Sequence, residues 1–183
     1  DYQLPPFARS VTGRKAQFFK GWSTAGIVIV QSGLPLTLTD PAGGAVYGRA
    51  GTSTVTMCPQ ATYADLATAS TGRNSRLGNW INSKAICIAP VIGSDGATGY
   101  GNAGQSVMNG PGQINTDCSI GKRTRVGGLR EDAELAFRVE FYNALNVAQF
   151  ANPGTILGTA NFGVITQTSV APRLIQFGLK YLF

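Results

Sequence analysis

The chain has 183 residues, is 43% hydrophobic and 13% charged, and carries 24 Gly, no His and a formal net charge of +6. A charged fraction about half the globular norm of roughly 25%, beside that hydrophobic content, excludes a disordered tail, and no apolar run reaches the roughly 18 residues of a membrane-spanning helix, Trp22 to Val30 being short and broken by Ser, Thr and Gly. Without imidazole there is no Ser-His-Asp or Cys-His nucleophile system, no zincin helix and no mixed Cys/His zinc site, and the few carboxylates are scattered, so no catalytic residue, cofactor or metal ligand is expected.

The chain starts at Asp1 with neither Met nor a charged-then-apolar leader, which points to a processed product or a piece of something longer. Residues 1–39 read as strands, with Arg9, Arg14, Lys15 and Lys20 ahead of the first long one. Residues 40–112 read as one long irregular Gly/Ser/Thr-rich segment. Pro41, Gly43, Gly44, Gly48 and Gly51 give way to Ala/Thr/Ser tracts and then to Gly93, Gly96, Gly99, Gly101 and Gly104, with only Tyr63 to Ala69 hinting at a helical turn. Such a stretch inside a compact domain is usually functional or attached to a larger scaffold. Cys58 and Cys87 lie in it and can close one disulfide in an oxidising compartment; two isolated thiols is the alternative, and Cys118 is the odd one left over.

Strand patterning returns in residues 113–183. Ile114, Thr116, Cys118 and Ile120 oppose Asn115, Asp117 and Ser119; Leu135, Phe137, Val139 and Phe141 oppose Ala136, Arg138, Glu140 and Tyr142; and Arg173, Ile175, Phe177, Leu179, Tyr181 and Phe183 oppose Leu174, Gln176, Gly178, Lys180 and Leu182. Alternation of this kind serves a soluble sandwich or an outer-membrane barrel equally. Segments of about 9 to 11 residues fit tilted membrane strands, and aromatics gather at segment ends as girdles would: Phe18, Phe19 and Trp22; Phe141 and Tyr142; Tyr181 and Phe183. Arg138, Glu140 and Asp117 would be expensive in a dry core, so their faces must be wet.

Two motif-like strings carry no chemistry. GYGNAG at Gly99 to Gly104 spells GxGxxG but follows no convincing strand, and Asn109, Gly110 and Pro111 stop any helix behind it. SIGKRT lacks the Gly five residues before its Lys that a phosphate loop needs and reads as a strand end. Lys122, Arg123, Arg125 and Arg130 cluster around one expected turn, with no aromatic platform or DNA-binding motif beside them, so no nucleic-acid partner is expected. A solvated basic rim is the ordinary reading, and contact with lipopolysaccharide phosphates the alternative.

The C-terminus is more specific. Gln176, Gly178, Tyr181 and Phe183 in QFGLKYLF resemble the terminal signal of bacterial outer-membrane barrels, which in that family is read by the barrel-assembly machinery. YQLP at Tyr2 to Pro5, GWSTAGIVIVQSGLPLT at Gly21 to Thr37, NGPGQINTDCSIGKRT at Asn109 to Thr124, FRVEFYNALN at Phe137 to Asn146, FGVIT at Phe162 to Thr166 and PRLIQFGLKYLF at Pro172 to Phe183 resemble, in family order, the C-terminal part of TonB-dependent outer-membrane receptors of the Oar-like, carboxypeptidase-regulatory-like group. The middle of the chain matches only loosely. The resemblance implies an all-β fold, the antiparallel strands of a partial outer-membrane-type barrel with a long irregular insertion. It also implies a place in the bacterial outer membrane, with lipid, the assembly machinery and the receptor's remainder (plug and TonB) as partners.

Barrels of about 22 strands enclose a plugged lumen, whereas five or six strands and no recognisable plug or TonB box are expected here, so the chain by itself performs no transport. In that family the last strand runs towards the periplasm, and Asn143 to Asn146 resembles a periplasmic turn. Counting back from that turn puts residues 125–133 outside and 40–112 on the periplasmic side. The alternative is a free-standing structural subunit, extracellular, assembling into homo-oligomers or fibres through its strand edges.

Overall fold

The computed structural model describes residues 2–4, 18–48, 53–69, 72, 74–127 and 133–183. Arg9, Arg14, Lys15, Arg130 and Pro5, singled out above, lie outside these. Among the described residues eleven strands follow in chain order: β1 (Tyr2–Gln3), β2 (Trp22–Gln31), β3 (Pro35–Leu36), β4 (Thr39–Asp40), β5 (Ser53–Thr54), β6 (Thr56–Met57), β7 (Ile86–Cys87), β8 (Met108–Asn109), β9 (Gln113–Arg125), β10 (Glu134–Tyr142) and β11 (Leu174–Leu182). The fold is all-β and mostly antiparallel, with a sheet that does not close into a barrel.

Two compact units divide the chain. The first, formed by residues 1–30, 114–148 and 170–183, is a five-stranded sheet in the order β1-β2-β9-β10-β11. β10 lies between its sequence neighbours, pairing Glu134 with Arg125 and Phe141 with Cys118 on one side, and Glu134 with Leu182 and Tyr142 with Leu174 on the other. β2 runs antiparallel to β9: the Arg123 N–H donates to the Gly21 carbonyl at 2.8 Å, while further along Gly26 lies against Asp117. Gly21 immediately precedes β2 with φ 78°, where any Cβ would run into the Arg123 carbonyl, so only glycine allows this close entry. β9 extends to Arg125, so SIGKRT at Ser119 to Thr124 forms the C-terminal end of that strand.

This register settles a question of parity. Because Tyr142 pairs with Leu174, the connection 143–173 leaves and re-enters at the end of the sheet where β11 begins. The connection 32–112 leaves from that same end, since Gln31 closes β2 and Gln113 opens β9. Residues 126–133 join β9 to β10 at the opposite end, where β11 finishes. A last strand running towards the periplasm is thus incompatible with a periplasmic turn at Asn143 to Asn146: an antiparallel neighbour runs the other way, so that turn lies at the far end.

The second unit, residues 31–113 and 149–169, gathers the long irregular segment and the later connection into one compact body. Its segments pair only briefly, β3 with β8, β4 with β5 and β6 with β7, and short 3₁₀ helices at Ala45–Tyr47, Tyr63–Leu66, Asn74–Arg76 and Ser83–Ala85 turn the chain between them. The tightness comes from a core of its own: Leu38, Val55 and Leu66 are fully buried, packed with Leu36, Met57, Trp80, Ile81, Met108 and Ile165. Ile165 arrives from the later excursion, fixed by its N–H donating to the Leu77 carbonyl and by the Trp80 N–H donating to that of Gly163. A disulfide joins Cys58 to Cys87, and Cys118 is free.

Candidate functional site

The first unit presents two chemically different sheet faces, and the pairing fixes which residues share each. Directly opposed residues in antiparallel strands point the same way. On one face Leu135, Phe137, Val139 and Phe141 of β10 stand beside Tyr181, Leu179, Phe177 and Ile175 of β11 and beside Thr124, Lys122, Ile120 and Cys118 of β9. On the other, Glu134, Ala136, Arg138, Glu140 and Tyr142 stand beside Leu182, Lys180, Gly178, Gln176 and Leu174, and all but Tyr142 beside Arg125, Arg123, Gly121 and Ser119. The expected faces on these strands are therefore physical faces of one sheet.

Among the described residues none covers the apolar face along β11: Phe177 is 70% exposed and Leu179 69%. Ile175 on the same strand and Phe137 beside Leu179 are exposed as well, so the apolar surface is continuous across β10 and β11. A contiguous exposed apolar surface of this kind suits contact with an apolar medium or partner.

The polar face is internally satisfied. Arg138 Nε sits 2.8 Å from Glu140 Oε1, and the Tyr142 hydroxyl donates to Glu140 Oε2 at 2.9 Å. Arg125 faces Glu134 at 3.7 Å. Asp117 accepts from the Asn143 backbone N–H at 2.8 Å and from the Asn115 side-chain amide at 3.1 Å. Between these groups lies a shallow recess of about 190 Å³ lined by Asp117, Ser119, Arg138, Glu140 and Tyr142 on its polar side. Arg125 and Glu134 pair across strands and Arg138 and Glu140 along β10, and with Arg123, Lys180 and Asp117 they make this a charged, wet face, as suits a hydrated lumen wall.

Lys122 is a cation on the apolar face, and parity extended from Ile114 through Ile120 would have found it. Its ammonium donates to the Phe18 carbonyl at 2.7 Å and to that of Lys20 at 3.1 Å, and lies 4.6 Å from the centre of the Trp22 ring. The Trp22 indole N–H also donates to the Phe18 carbonyl. A lysine whose stem runs along an apolar sheet while its head is gathered under aromatic rings at the strand end is the geometry of an interfacial anchor. Tyr181 and Phe183 stack at 5.9 Å at this same end of the sheet. Phe141 lies at the other end on the apolar face, but Tyr142 turns to the polar face, which removes it from the expected girdle.

The residues of the terminal signal divide between the faces. Gln176 and Gly178 stand on the polar side, opposite Glu140 and Arg138, while Tyr181 stands on the apolar side, opposite Leu135. β11 is an edge strand of this sheet, exposed along almost its whole length.

Behind the sheet end, Asn143 is a hub that residue-by-residue reading passed over. It is buried, with φ 49°, and its side chain accepts from the Val147 N–H and donates to the carbonyls of Val147 and Ala171. Asn146, also left-handed at φ 51°, accepts from the Arg173 N–H. Two asparagines in the left-handed region of one short turn were the available signal. Among the described residues no group of three or more His, Cys, Asp or Glu converges as a metal site, and no helix is long and apolar enough to cross a membrane.

The family described as outer membrane beta barrel domain matches residues 1–176. No curated protein matches the chain, and no solved structure does. The chain belongs to the outer membrane β-barrel domain family. Its place is accordingly the outer membrane, and the extracellular alternative finds no support in the match.

Proposed function

We propose that this outer-membrane chain supplies the C-terminal strands of a TonB-dependent receptor barrel, and that β11 is the strand the barrel-assembly machinery engages. The observation that carries the reading is β11 itself: a nine-residue edge strand with Gln176 and Gly178 on the wet face and Tyr181 and Phe183 gathered at one end. A strand of that length crosses the hydrocarbon layer when tilted. The ordered motifs flanking the second unit favour the Oar-like group of these receptors.

Sidedness follows within the same reading. Outer-membrane barrels have short periplasmic turns and longer extracellular loops. Residues 126–133 form the short connection, while 32–112 and 143–173 form the long ones. The second unit then faces the exterior, and β11 runs towards the periplasm with Phe183 at its inner end. This reverses the assignment that takes Asn143 to Asn146 as a periplasmic turn, and the Cys58–Cys87 disulfide is compatible with it, since periplasm and exterior are both oxidising.

The test is the reading frame that encodes Asp1, together with surface labelling. A frame supplying a plug domain and TonB box upstream, with a tag inserted at Ser94 accessible on intact cells, is the expected result. A frame that opens with an export signal immediately before Asp1 and stops at Phe183 would overturn it. It would favour instead a subunit whose open sheet edges pair with copies of itself.

A further inference from the structure

Within the second unit, Tyr47 and Tyr100 stack with ring centroids 4.8 Å apart and planes 13° from parallel, yet remain 60% and 54% exposed. Aromatic pairs ordinarily contribute by burial; this one is held open to solvent. The backbone beneath is tightly specified. Gly44 and Gly48 bracket the 3₁₀ helix Ala45–Tyr47 in the left-handed region, at φ 82° and 71°, and a Cβ on Gly44 would strike the Tyr100 ring. The Gly44 N–H donates to the Gly99 carbonyl at 2.9 Å and the Val46 N–H to that of Thr98 at 3.1 Å, so both tyrosines are carried on one hydrogen-bonded scaffold.

We infer that the Tyr47–Tyr100 stack is a platform for a neutral saccharide, with a pyranose ring laid on the open tyrosine surface. The weakly positive C–H groups on one face of a pyranose complement the negative face of an aromatic ring, and a fixed tyrosine loses little entropy on binding. Charge selects among ligands that could stack. The second unit contains only three carboxylates, Asp40, Asp65 and Asp95, and four cations, Arg49, Arg73, Arg76 and Lys84, so the basic excess of the chain lies elsewhere. Nucleic acid draws most of its affinity from phosphate contacts with clustered Lys and Arg, and anionic glycans need the same. A unit with so few charged residues and so much Gly, Ser, Thr and Asn suits a neutral ligand. The proposal rests on family membership and the tyrosine geometry, and does not depend on TonB.

The full chain, refolded in detergent micelles, is titrated calorimetrically with maltohexaose, cellohexaose and xylohexaose, with polygalacturonate and a dT oligomer as the anionic and base-stacking comparisons. Binding of at least one neutral hexasaccharide is expected, weakened about tenfold or more by Tyr47→Ala and by Tyr100→Ala and kept within about threefold by Tyr47→Phe and Tyr100→Phe. Absence of binding by all three neutral sugars, tighter binding of polygalacturonate or dT, or Ala variants that bind like the parent chain would each overturn the assignment. None of these outcomes bears on whether the reading frame encodes a plug, so the two proposals fail separately.

Discussion

The Asp117 carboxylate accepts a hydrogen bond from the backbone N–H of Asn143 at 2.8 Å, fastening the polar face of β9 to the first residue beyond β10. The Ala144 N–H donates to the Thr116 carbonyl at 2.7 Å beside it, so the exit of β10 is locked to its neighbour from two directions. A charged acceptor on a partly buried amide contributes about 1.5–3 kcal/mol. Asp117→Ala should lower unfolding free energy by about that amount, and Asp117→Asn, which keeps an acceptor oxygen, by less. Urea titration of the folded chain in lipid vesicles checks both; equal stability of Asp117→Ala and the parent would remove the lock from the account.

Asn143 combines a left-handed backbone with buried side-chain hydrogen bonds, and two substitutions separate these contributions. Asn143→Gly keeps φ accessible and loses only the bonds to Val147 and Ala171. Asn143→Ala loses the bonds and adds roughly 1–2 kcal/mol of backbone strain. Stability should therefore fall in the order parent, Gly, Ala in the same titration, and a Gly variant no better than Ala would show that the backbone conformation costs little.

On β11 the two faces give opposite expectations for the same introduced charge. Phe177→Arg puts a guanidinium near the middle of the lipid face and should cost about 2–4 kcal/mol in vesicles, whereas Gln176→Arg on the polar face should change little. For a water-exposed Phe the first change would be close to neutral. The difference in folding free energy between the two variants thus measures which medium covers Phe177.

The Cys58–Cys87 bond closes a loop of sequence separation 29 in the second unit. Cross-links of such loops stabilise by about 2–4 kcal/mol. Cys58→Ser with Cys87→Ser should make the second unit protease-sensitive at concentrations that spare the parent, while the β9-β10-β11 pairing, which contains neither residue, survives as a protected fragment. Mass spectrometry of the digestion products separates the two units.

Asp65 supplies a pH-dependent contribution. Its carboxylate accepts from the Thr62 hydroxyl at 2.7 Å and from the Thr62 N–H at 2.8 Å, capping the helix Tyr63–Leu66, and the hydroxyl bond is the larger cause holding its pKa below the ordinary carboxylate value. A lowered folded-state pKa means that the stabilisation is fully present above the unfolded-state value and is lost as pH falls through the folded one. Thr62→Ala should move the Asp65 titration upward. The carboxyl carbon chemical shift followed against pH reports it directly, and an unchanged midpoint would remove the hydroxyl as its cause.

Much of the first unit was legible because a strand writes its faces into the sequence with period two. Leu135, Phe137, Val139 and Phe141 announce an apolar side without knowledge of their neighbours, and the same rule carried past Ile120 assigns Lys122 to it. The QFGLKYLF ending alternates in the same way, while its reading as an assembly signal comes from resemblance alone. The distribution of its residues over two faces is a consequence of alternation.

What the sequence by itself determined, then, is the set of quantities that depend on spacing along the chain: all-β character, two-faced strands, the membrane-length segments and the absence of imidazole chemistry. Tertiary structure alone decided the rest. Leu38, Val55, Leu66, Ile81 and Ile165 share no period and sit among Gly, Ser and Thr, so the core of the second unit has no local signature and exists only once distant segments meet. Asn143 becomes a hub only because Asp117 and Ala171, 26 and 28 residues away, are brought to it. Tyr47 and Tyr100 become a pair only because Gly44 lets their segments touch. Burial and long-range pairing depend on which surfaces are brought together, and no one-dimensional period encodes that.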